Sequence, residues 1–311
     1  MVNSIPFGAR STADKVLAGI DLTGRRFVVT GCSSGIGFET MSSLCANGAQ
    51  VFGLARQLRD AEEACRKAGP FCVPMACDLA DLDSVAAAAG AIRALEVPLD
   101  AIVANAGIAN PPTLQTRYGV EMQFLVNHIG HFALVNELSA LVRNGTGRIV
   151  IVSSSASIKQ APAEGIMFDN LDGRRFYKPS TFYAQSKLAN ALFAKELSRR
   201  LSPRGIAVNS LHPGATKGTA LHKNASLPMS IALSAARLFM RSAPRAAATQ
   251  ALLAANPSVG GISGEFWMNC RIAKGNQLLE DADLAKRLWD ISAGIVARHG
   301  ASAAKPLREA A

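Results

Sequence analysis

The sequence predicts an α/β fold in which a doubly wound parallel sheet of about seven strands is flanked by helices in a single domain. Short apolar runs rich in β-branched residues alternate with helical segments along the 311-residue chain, which is typical of βαβ units. The runs are apolar throughout, as expected of parallel strands covered on both faces. A chain of this length buries a large core without disulfides or metals, and no internal repeat or low-complexity linker divides it.

The elements alternate regularly after an N-terminal extension. Residues 1–21 form this extension, with a short helical stretch near 12–18; residues 22–298 form the predicted domain, and 299–311 a tail that is expected to fray. The predicted strands lie at 27–29, 51–54, 72–75, 101–103, 148–152, 206–211 and 265–268. The predicted helices lie at 39–46, 60–68, 78–95, 118–141, 179–201, 244–255 and 283–298.

The chain has a net charge of +10, from 33 lysines and arginines against 23 acidic residues. Such an excess is compatible with nucleic acid, an anionic lipid or an anionic small molecule as partner. No basic stripe with interleaved aromatic side chains occurs, and aromatic residues make up only 6% of the chain, so nucleic acid is not expected. The 49% hydrophobic and 18% charged residues exclude wholesale disorder.

Six cysteines are present, at positions 32, 45, 65, 72, 77 and 270. None forms a Cys-x-x-Cys pair and no His/Cys set has metal-ligand spacing, so no metal is expected. Three disulfides are the less favoured interpretation, because the first residues show no secretion signal. No stretch approaches about 18 uninterrupted apolar residues, so no transmembrane segment is predicted, and a reduced cytoplasm is the expected location.

The first strand is followed by a turn with three glycines that opens the next helix. Glycines allow a tight turn and a close approach of a ligand to the backbone, and the helix N-terminus offers free N–H groups and a positive dipole end to a pyrophosphate. Between a strand and a helix, this pattern favours a phosphate site over a flexible surface loop. The cofactor-binding residues predicted here are Gly31, Ser33, Ser34, Gly35, Ile36 and Gly37.

The Gly-x₃-Gly-x-Gly spacing of residues 31–37 resembles the cofactor loop of the short-chain dehydrogenase/reductase family, which has a Rossmann-type fold; the resemblance covers roughly residues 22–298. In a dinucleotide fold the end of the second strand meets the adenine ribose. That end reads Gly53-Leu54-Ala55-Arg56 and has no acid, while the planar guanidinium of Arg56 suits a phosphate dianion. NADP(H) is therefore predicted over NAD(H), with Arg59 able to assist; the alternative is that Arg56 is a solvated surface residue.

Two further segments match motifs of that family. Asp78-Leu79, after the third strand, matches the acid that contacts adenine and its neighbour, although Asp78 could equally be the N-cap of the following helix. Asn105-Ala106-Gly107, after the fourth strand, matches a structural motif in which small residues let the chain pass close to the cofactor and Asn105 bridges neighbouring strands. The resemblance therefore adds Asp78, Leu79, Asn105, Ala106 and Gly107 to the cofactor site.

The sharpest chemical signal is Tyr183 followed four residues later by Lys187, which places both on one face of a helix. A free tyrosine has a pKa near ~10, too high for a base at neutral pH, and a nearby lysine cation is expected to lower it. Tyr183 is then a candidate general acid/base for a substrate oxygen, and Lys187 a candidate ligand for the nicotinamide ribose. By itself such a pair is more often a surface feature, so the accompanying motifs carry the assignment.

The resemblance supplies two more catalytic candidates. Ser154 is the second of three serines after the fifth strand, the position whose hydroxyl polarises the carbonyl; its two serine neighbours are alternatives. Asn127 lies in the preceding long helix, where it would bend the helix and hold a water that links Lys187 to solvent, or else form a helix–helix hydrogen bond. His128 and His131 have no Ser or Cys partner in the sequence pattern of a catalytic pair, and they are expected to be structural or to support the site without touching substrate.

The substrate side is predicted from the segment after the sixth strand. Pro213-Gly214 matches the family's turn beside the nicotinamide, and the threonine contact that follows is assigned to Thr219, with Thr216 as the alternative. The long apolar segment at about 215–243 is predicted to be a lid over a hydrophobic ketone, aldehyde or secondary alcohol. Ordinary helix packing or a contact with a second subunit are the alternatives.

Short motifs at 127–132, 186–190 and 288–292 resemble the retinol dehydrogenase and WW-domain oxidoreductase branch of the family, without WW domains. This resemblance implies direct hydride transfer between nicotinamide and a hydrophobic carbonyl or alcohol, and a homodimer or homotetramer as the family norm. The competing function is a non-catalytic NADP(H)-sensing or scaffold protein. An intact set of Asn127, Ser154, Tyr183 and Lys187 argues against it, since a sensor needs no proton relay.

Overall fold

The computed structural model describes residues 5–214 and 241–300, and an eight-stranded sheet lies at the centre of the fold. Its strands are β1 (Arg26–Thr30), β2 (Gln50–Ala55), β3 (Cys72–Ala76), β4 (Ala101–Ala104), β5 (Arg148–Val152), β6 (Ala207–His212), β7 (Phe266–Met268) and β8 (Arg271–Ile272). Their order across the sheet is β8-β7-β6-β5-β4-β1-β2-β3. All neighbours are parallel except β7 and β8. The predicted α/β class and doubly wound parallel sheet are confirmed.

The eighth strand corrects the predicted number of about seven. β8 is two residues long and pairs antiparallel with β7, placing Met268 opposite Arg271. The turn between them, Asn269-Cys270, has positive φ angles of 56° and 59°, as a tight hairpin turn requires. A strand this short has no periodicity that a sequence pattern could reveal.

Helices cover both faces of the sheet. They are α1 (Ala13–Leu17), α2 (Gly35–Ala46), α3 (Leu58–Ala68), α4 (Leu82–Arg93), α5 (Met122–Phe124), α6 (Gly130–Ser139), α7 (Ala156–Lys159), α8 (Pro179–Leu201), α9 (Ala243–Ala255) and α10 (Ala282–His299). α4, α6, α8 and α10 pack on one face, against strand residues such as Val28 and Ile102. α1, α2, α3 and α9 pack on the other, against Phe27 and Val103. Because successive strand side chains point to opposite faces, strands covered on both sides, such as β4, are apolar along their length.

The helix predicted at 118–141 starts later and is interrupted. Residues 116–121 form a small antiparallel hairpin instead, which ends at the buried carboxylate of Glu121. That carboxylate caps α5 by accepting from the first free N–H groups of the helix, which favours a helix start there. A π-helical segment, Leu125–Ile129, separates α5 from α6, in the region where the resemblance implies a bend.

The segment before β1 packs onto the rest of the chain. α1 lies against α9, and its Val16 and Leu17 are buried. The side-chain amide of Asn256 donates to the Val16 carbonyl at 2.7 Å. The N-terminal extension therefore contacts the core along α1, while the domain limits at 22 and 298 stay a prediction.

Cys45 at the end of α2 and Cys72 at the start of β3 are paired as a disulfide, and the other four cysteines are free and buried. This pair differs from the reduced set that the sequence favours; it arises because α2 and β3 both lie against β2. Among the described residues, no cluster of His, Cys, Asp and Glu has the arrangement of a metal site. No helix in residues 5–214 or 241–300 combines the length and apolarity needed to cross a bilayer.

Replacing Gly130 by alanine should lower the free energy of unfolding by about 2 kcal/mol, the usual cost of overpacking. A Cβ there would collide with the carbonyl oxygen of Leu79 and lie 2.9 Å from its Cβ. Gly90 on α4 is the matched control, because nothing lies within 4 Å of its added Cβ. Gly90→Ala should stabilise by about 0.5–1 kcal/mol through helix propensity. Denaturant unfolding measures both, and equal effects would contradict the close contact at Leu79.

Candidate active site

The turn between β1 and α2 presents backbone donors. Gly31 and Gly35 have φ angles of 71° and 60°, a region that residues with a Cβ rarely adopt. The N-cap residue of α2, Ser34, makes no side-chain capping bond. Ser34 therefore leaves the first N–H groups of α2 uncapped, and the positive end of the helix dipole lies at the turn.

The same turn has no room for larger side chains. A Cβ at Gly37 would collide with the Gly31 carbonyl, and a Cβ at Gly31 would lie 3.0 Å from Cα of Ala106. Ser33 and Ser34 are exposed beside these glycines. Free N–H groups, two hydroxyls and a backbone that a ligand can approach closely suit the phosphates of a nicotinamide dinucleotide.

The turn after β4 is tied to both β1 and α9. Nδ2 of Asn105 donates to the Thr30 carbonyl at 2.9 Å, and Oδ1 of Asn105 accepts from Nε2 of Gln250 at 3.0 Å. Asn105 thus bridges neighbouring strands, as the resemblance implies. Because the turns after β1 and β4 flank the point where the strand order reverses, they border the crevice in which doubly wound folds bind ligands.

Arg56 lies exposed at the end of β2. No carboxylate in the described part of the chain forms an ion pair with it, whereas Arg59 pairs with Asp60 at 3.4 Å. The guanidinium of Arg56 is therefore available to an anion.

Asp78 and Leu79 follow β3 at the same edge of the sheet. The Asp78 carboxylate accepts from the N–H of Ala80 at 3.0 Å, and Leu79 is buried. The N-cap of α4 is Asp81, whose side chain accepts from the N–H of Asp83. The interpretation of Asp78 as the helix cap is therefore wrong, because a second aspartate lies closer to the helix start.

Of the three serines after β5, Ser154 faces the tyrosine. The buried Ser153 hydroxyl donates to the Lys187 carbonyl at 2.6 Å, and Ser155 is the N-cap residue of α7. The Ser154 hydroxyl forms a hydrogen bond with Tyr183. The Ser153 hydroxyl is thus engaged in the scaffold, while the Ser154 hydroxyl contacts Tyr183 and also accepts from the N–H of Ala156 at 3.2 Å.

Tyr183 and Lys187 lie one turn apart on α8. Nζ of Lys187 is 6.0 Å from the centroid of the Tyr183 ring and donates to the Val152 carbonyl at 3.2 Å. Only 4% of the Lys187 side chain is exposed. Burial lowers the pKa of Lys187 to about 8, because a desolvated ammonium is disfavoured.

The expected lowering of the Tyr183 pKa by Lys187 is not found. Burial raises the pKa of Tyr183, and the hydrogen bond with Ser154 opposes that rise. The Tyr-x₃-Lys pattern reveals that a lysine charge lies near the tyrosine. It does not reveal that both groups are buried, and burial disfavours the charged phenolate and the charged ammonium alike.

Asn127 lies at the centre of the π-helical segment. Its Oδ1 accepts from the N–H of Ile108 at 2.8 Å, and its Nδ2 donates to the Ile108 carbonyl at 3.0 Å and to the Ser186 hydroxyl on α8 at 2.9 Å. A Cβ at Gly107 would lie 2.9 Å from Oδ1 of Asn127 and 3.2 Å from Nζ of Lys187. These two atoms therefore border one small space. The two alternatives predicted for Asn127, an irregular helix and a helix–helix hydrogen bond, occur together.

The family model described as short chain dehydrogenase matches residues 25–167. The chain is 34% identical over 305 residues to short-chain dehydrogenase TIC 32 B, chloroplastic, of Brassica napus, covering 93% of this chain and 94% of that one. It is 35% identical over 301 residues to the human WW domain-containing oxidoreductase, covering 93% and 72%. Human retinol dehydrogenase 14 is 35% identical over 291 residues, covering 86% and 85%.

The chain belongs to the short-chain dehydrogenase/reductase family. The resemblance to the retinol dehydrogenase and WW-domain oxidoreductase branch is thereby confirmed. Among solved structures, a protein from Mycobacterium paratuberculosis is similar with a TM-score of 0.70 at 27% identity, covering 92% of this chain and 97% of that one. A short chain dehydrogenase from Burkholderia cenocepacia in complex with NADP has a TM-score of 0.60 at 25% identity, covering 79% and 96%.

The nicotinamide side of this short-chain dehydrogenase is described in part. Gly214, after Pro213, has a φ of 96°, and a Cβ there would lie 2.7 Å from Cδ of Arg241. The arginine side chain thus packs directly on this turn. The predicted contacts at Thr219 and Thr216, and residues 215–240 of the predicted lid, lie outside the described residues.

A cleft of about 340 Å³ lies beside the glycine turn between β1 and α2. Its lining residues are Ser33, Ser34, Phe38, Asp60, Glu63, Ala64 and Lys67. Its acids are paired, Asp60 with Arg59 and Glu63 with Lys67. A second cleft of about 330 Å³, between α8 and the β7–β8 hairpin, contains none of the predicted site residues. The first cleft therefore belongs to the candidate cofactor site.

Sequence patterns missed the residues that hold this site together from a distance. Gln250 holds Asn105, Ser186 holds Asn127, and Ser153 holds the backbone of Lys187. Gln250 is fully buried in an alanine-rich helix. A polar residue on such a helix is a signal for a buried hydrogen bond, but its partner lies too far along the chain for a local pattern.

Replacing Lys187 by methionine should stabilise the cofactor-free protein at pH 7 by on the order of 2 kcal/mol, even after the loss of one hydrogen bond. Burial lowers the lysine pKa from 10.5 to about 8, so the folded chain holds a desolvated cation at pH 7. Between these two pKa values the unfolded chain still binds the proton that the folded chain has released, so parent stability rises with pH.

Thermal unfolding of parent and Lys187→Met at pH 7 and pH 10 checks this expectation. The difference in Tm between the two proteins should be largest at pH 7 and should narrow at pH 10, where the folded parent no longer holds the lysine cation. The titration of groups common to both proteins cancels in this difference. The Val152 carbonyl keeps a partner in the variant, since Nδ2 of Asn190 donates to it at 2.9 Å. A difference that does not change with pH would contradict a buried ammonium as its cause.

Proposed function

We propose that this protein is an NADP(H)-dependent oxidoreductase that transfers a hydride between nicotinamide and a hydrophobic ketone, aldehyde or secondary alcohol. The observation that carries the proposal is the meeting of Tyr183, Ser154 and the buried amine of Lys187 next to the glycine turn. A sensor or scaffold gains nothing from burying an amine at a cost in folding free energy. Relatives named as dehydrogenases and an oxidoreductase support the same reaction class.

In this mechanism the protein provides the proton. The bound nicotinamide supplies the hydride donor or acceptor. The Tyr183 hydroxyl passes a proton to or from the substrate oxygen, and the Ser154 hydroxyl donates to the charge that develops on that oxygen. The hydrogen bond from Ser154 works against the rise in the Tyr183 pKa that burial causes, and the buried Lys187 amine lies 6.0 Å from the centre of the tyrosine ring. Asn127 borders the space from which Lys187 exchanges its proton.

The residues proposed to hold the cofactor follow β1, β2, β3, β4 and β6 along the sequence or belong to α8. They are Gly31, Ser33, Ser34, Gly35, Ile36, Gly37, Arg56, Asp78, Leu79, Asn105, Ala106, Gly107, Tyr183, Lys187, Pro213, Gly214 and Thr219. NADP(H) is preferred because the end of β2 has an exposed arginine and no acid, so a 2′-phosphate meets a cation instead of a like charge. The similar Burkholderia dehydrogenase in complex with NADP supports the same choice.

The substrate class follows from the apolar composition of the predicted lid at 215–243. A homodimer or homotetramer and a cytoplasmic location belong to the same proposal. The location stays open to test, because one relative is named as chloroplastic. A screen of ketones, aldehydes and secondary alcohols with each cofactor, followed by nicotinamide absorbance, identifies substrate, direction and cofactor together. Absence of turnover across the screen would favour the cofactor-sensing alternative.

Tyr183→Phe should reduce kcat by at least about 10²-fold, since a positioned proton donor contributes that much or more. NADPH binding, measured by fluorescence titration, should be largely intact because the ring remains in place. Tyr118→Phe is the matched control, since Tyr118 lies in the hairpin turn and stacks on His299. Turnover retained by the Tyr183 variant would refute its role as acid/base.

Arg56→Asp should lower the preference for NADPH over NADH, measured as a ratio of kcat/KM values, by about tenfold or more. This magnitude corresponds to the loss of one charge-assisted hydrogen bond, and the new carboxylate adds repulsion of the 2′-phosphate. Lys286→Asp on α10 makes the same change in net charge far from the cofactor turn and should leave the ratio unchanged. An unchanged ratio in the Arg56 variant would reject this residue as the 2′-phosphate ligand.

A further inference from the structure

The imidazole ring of His131 joins two parts of the candidate site. Its Nδ1 lies 2.9 Å from the backbone carbonyl oxygen of Asn127, and its Nε2 lies 2.8 Å from the hydroxyl oxygen of Thr30. The side chain is fully buried. Both ring nitrogens are therefore engaged inside the protein, and neither is presented to substrate or solvent.

The partners fix the protonation of this ring. A carbonyl oxygen only accepts, so Nδ1 of His131 carries the hydrogen. Burial, against the opposing hydrogen bond to Asn127, lowers the pKa of His131 to about 4, so the ring is neutral near pH 7 and Nε2 is an acceptor. The Thr30 hydroxyl therefore donates to Nε2; its other acceptor, the Val103 carbonyl, is farther away at 3.5 Å.

The Thr30 hydroxyl connects the ring to the cofactor side. While it donates to His131, its oxygen accepts from the N–H groups of Asn105 and Ala106 at 2.9 and 3.0 Å. All its hydrogen-bonding capacity is thus used. The position of the ring therefore helps to fix the turn after β4 against the end of β1.

The Asn127 carbonyl connects the ring to the proton-transfer side. In the π-helical segment the N–H of Gly130 donates five residues back, to Leu125, so the backbone register is shifted. The Asn127 carbonyl is bonded to the His131 ring, and the Asn127 side chain borders the same space as Nζ of Lys187. Movement of the ring would therefore change the spacing between asparagine and lysine.

We propose that His131 is a positioning residue, which holds Asn127 beside Lys187 with one nitrogen and the turn after β4 with the other. It acts through these residues and does not touch substrate or cofactor. The inference rests on the proposed oxidoreductase function. It extends that function by giving one buried, neutral histidine separate effects on proton transfer and on cofactor binding.

Two substitutions separate the two contacts. In His131→Gln the side-chain carbonyl reaches the position of Nε2 and accepts from Thr30, but the donor to Asn127 is lost. In His131→Asn the amide NH₂ overlays Nδ1 and donates to Asn127, but the acceptor for Thr30 is lost. The glutamine variant should therefore affect the proton step, and the asparagine variant the cofactor step.

The variants are assayed with parent, using the carbonyl or alcohol that the substrate screen identifies. His131→Gln should lower kcat by about tenfold, part of the roughly 10²–10⁴-fold that proton transfer contributes, and should raise the solvent deuterium isotope effect on kcat while NADPH affinity is unchanged. His131→Asn should keep kcat and the isotope effect of parent but weaken NADPH binding. A general loss of stability would not produce this split.

His128→Gln is the matched control. His128 belongs to the same π-helical segment and is fully buried, but it bonds to Ser292 and packs among Phe124 and Phe193. It should lose thermal stability without a change in isotope effect or NADPH affinity. The positioning role of His131 is overturned if both His131 variants match this control. Turnover by Tyr183→Phe would instead overturn the proposed function, so the two failures are distinguishable.

A measurement on the parent protein tests the inference even if the variants fail to fold. Nitrogen-15 NMR of the histidine rings reports tautomer and titration, with His131 assigned from nuclear Overhauser contacts of its ring with Thr30. His131 should be neutral, hydrogenated at Nδ1, from pH 5 to pH 8. An Nε2–H tautomer, or protonation within that range, would overturn the inference, because the ring could not then donate to Asn127 and accept from Thr30 as described.

Discussion

The burial of the Lys187 ammonium is the constraint on which the candidate site depends. The side chain is 4% exposed, and no carboxylate in the described part of the chain pairs with it. A charge taken out of water costs several kcal/mol unless polar groups replace its hydration. The Val152 carbonyl is one such group, and Oδ1 of Asn127 borders the same small space as the amine. The pKa of Lys187, which burial lowers to about 8, reflects the part of this cost that the polar groups do not offset.

The parallel sheet explains how residues so far apart in sequence reach this amine. β5, β4 and β1 are neighbours in the sheet, and parallel strands end at the same edge. Ser154 follows β5, Asn105 follows β4 and Gly31 follows β1. The serine, the turn that contains Asn105 and the glycine turn therefore meet at this edge. α8 crosses this edge and adds Tyr183 and Lys187. Gly107 matters because it has no side chain: a Cβ would occupy the space between Asn127 and Lys187.

Local signals in the sequence predicted most of the fold, while the catalytic roles of the candidate residues stay a prediction. The helix predicted at 179–201 has these bounds, with a proline in its first turn, where proline is favoured. The two-residue β8 had no such signal. The hairpin before α5 was not predicted, because the helical pattern begins at residue 118 whereas the helix itself begins after its cap, Glu121. Contacts such as Gln250 with Asn105 join distant parts of the chain. Desolvation, which reversed the expected direction for Tyr183, exists only after the core has formed.

The positions of individual arginines show how some of the net charge of +10 is used. The guanidinium of Arg204 donates to the carbonyls of Ser139 and Val142, and that of Arg148 donates to carbonyls at the end of α9. These cations satisfy the free carbonyl ends of helices and loops, where positive charge is stabilising. Arg148 and Arg204 are therefore used inside the fold. Arg56 differs from them because it is exposed and has no acidic partner among the described residues, so an anion at the end of β2 is the partner that its position favours.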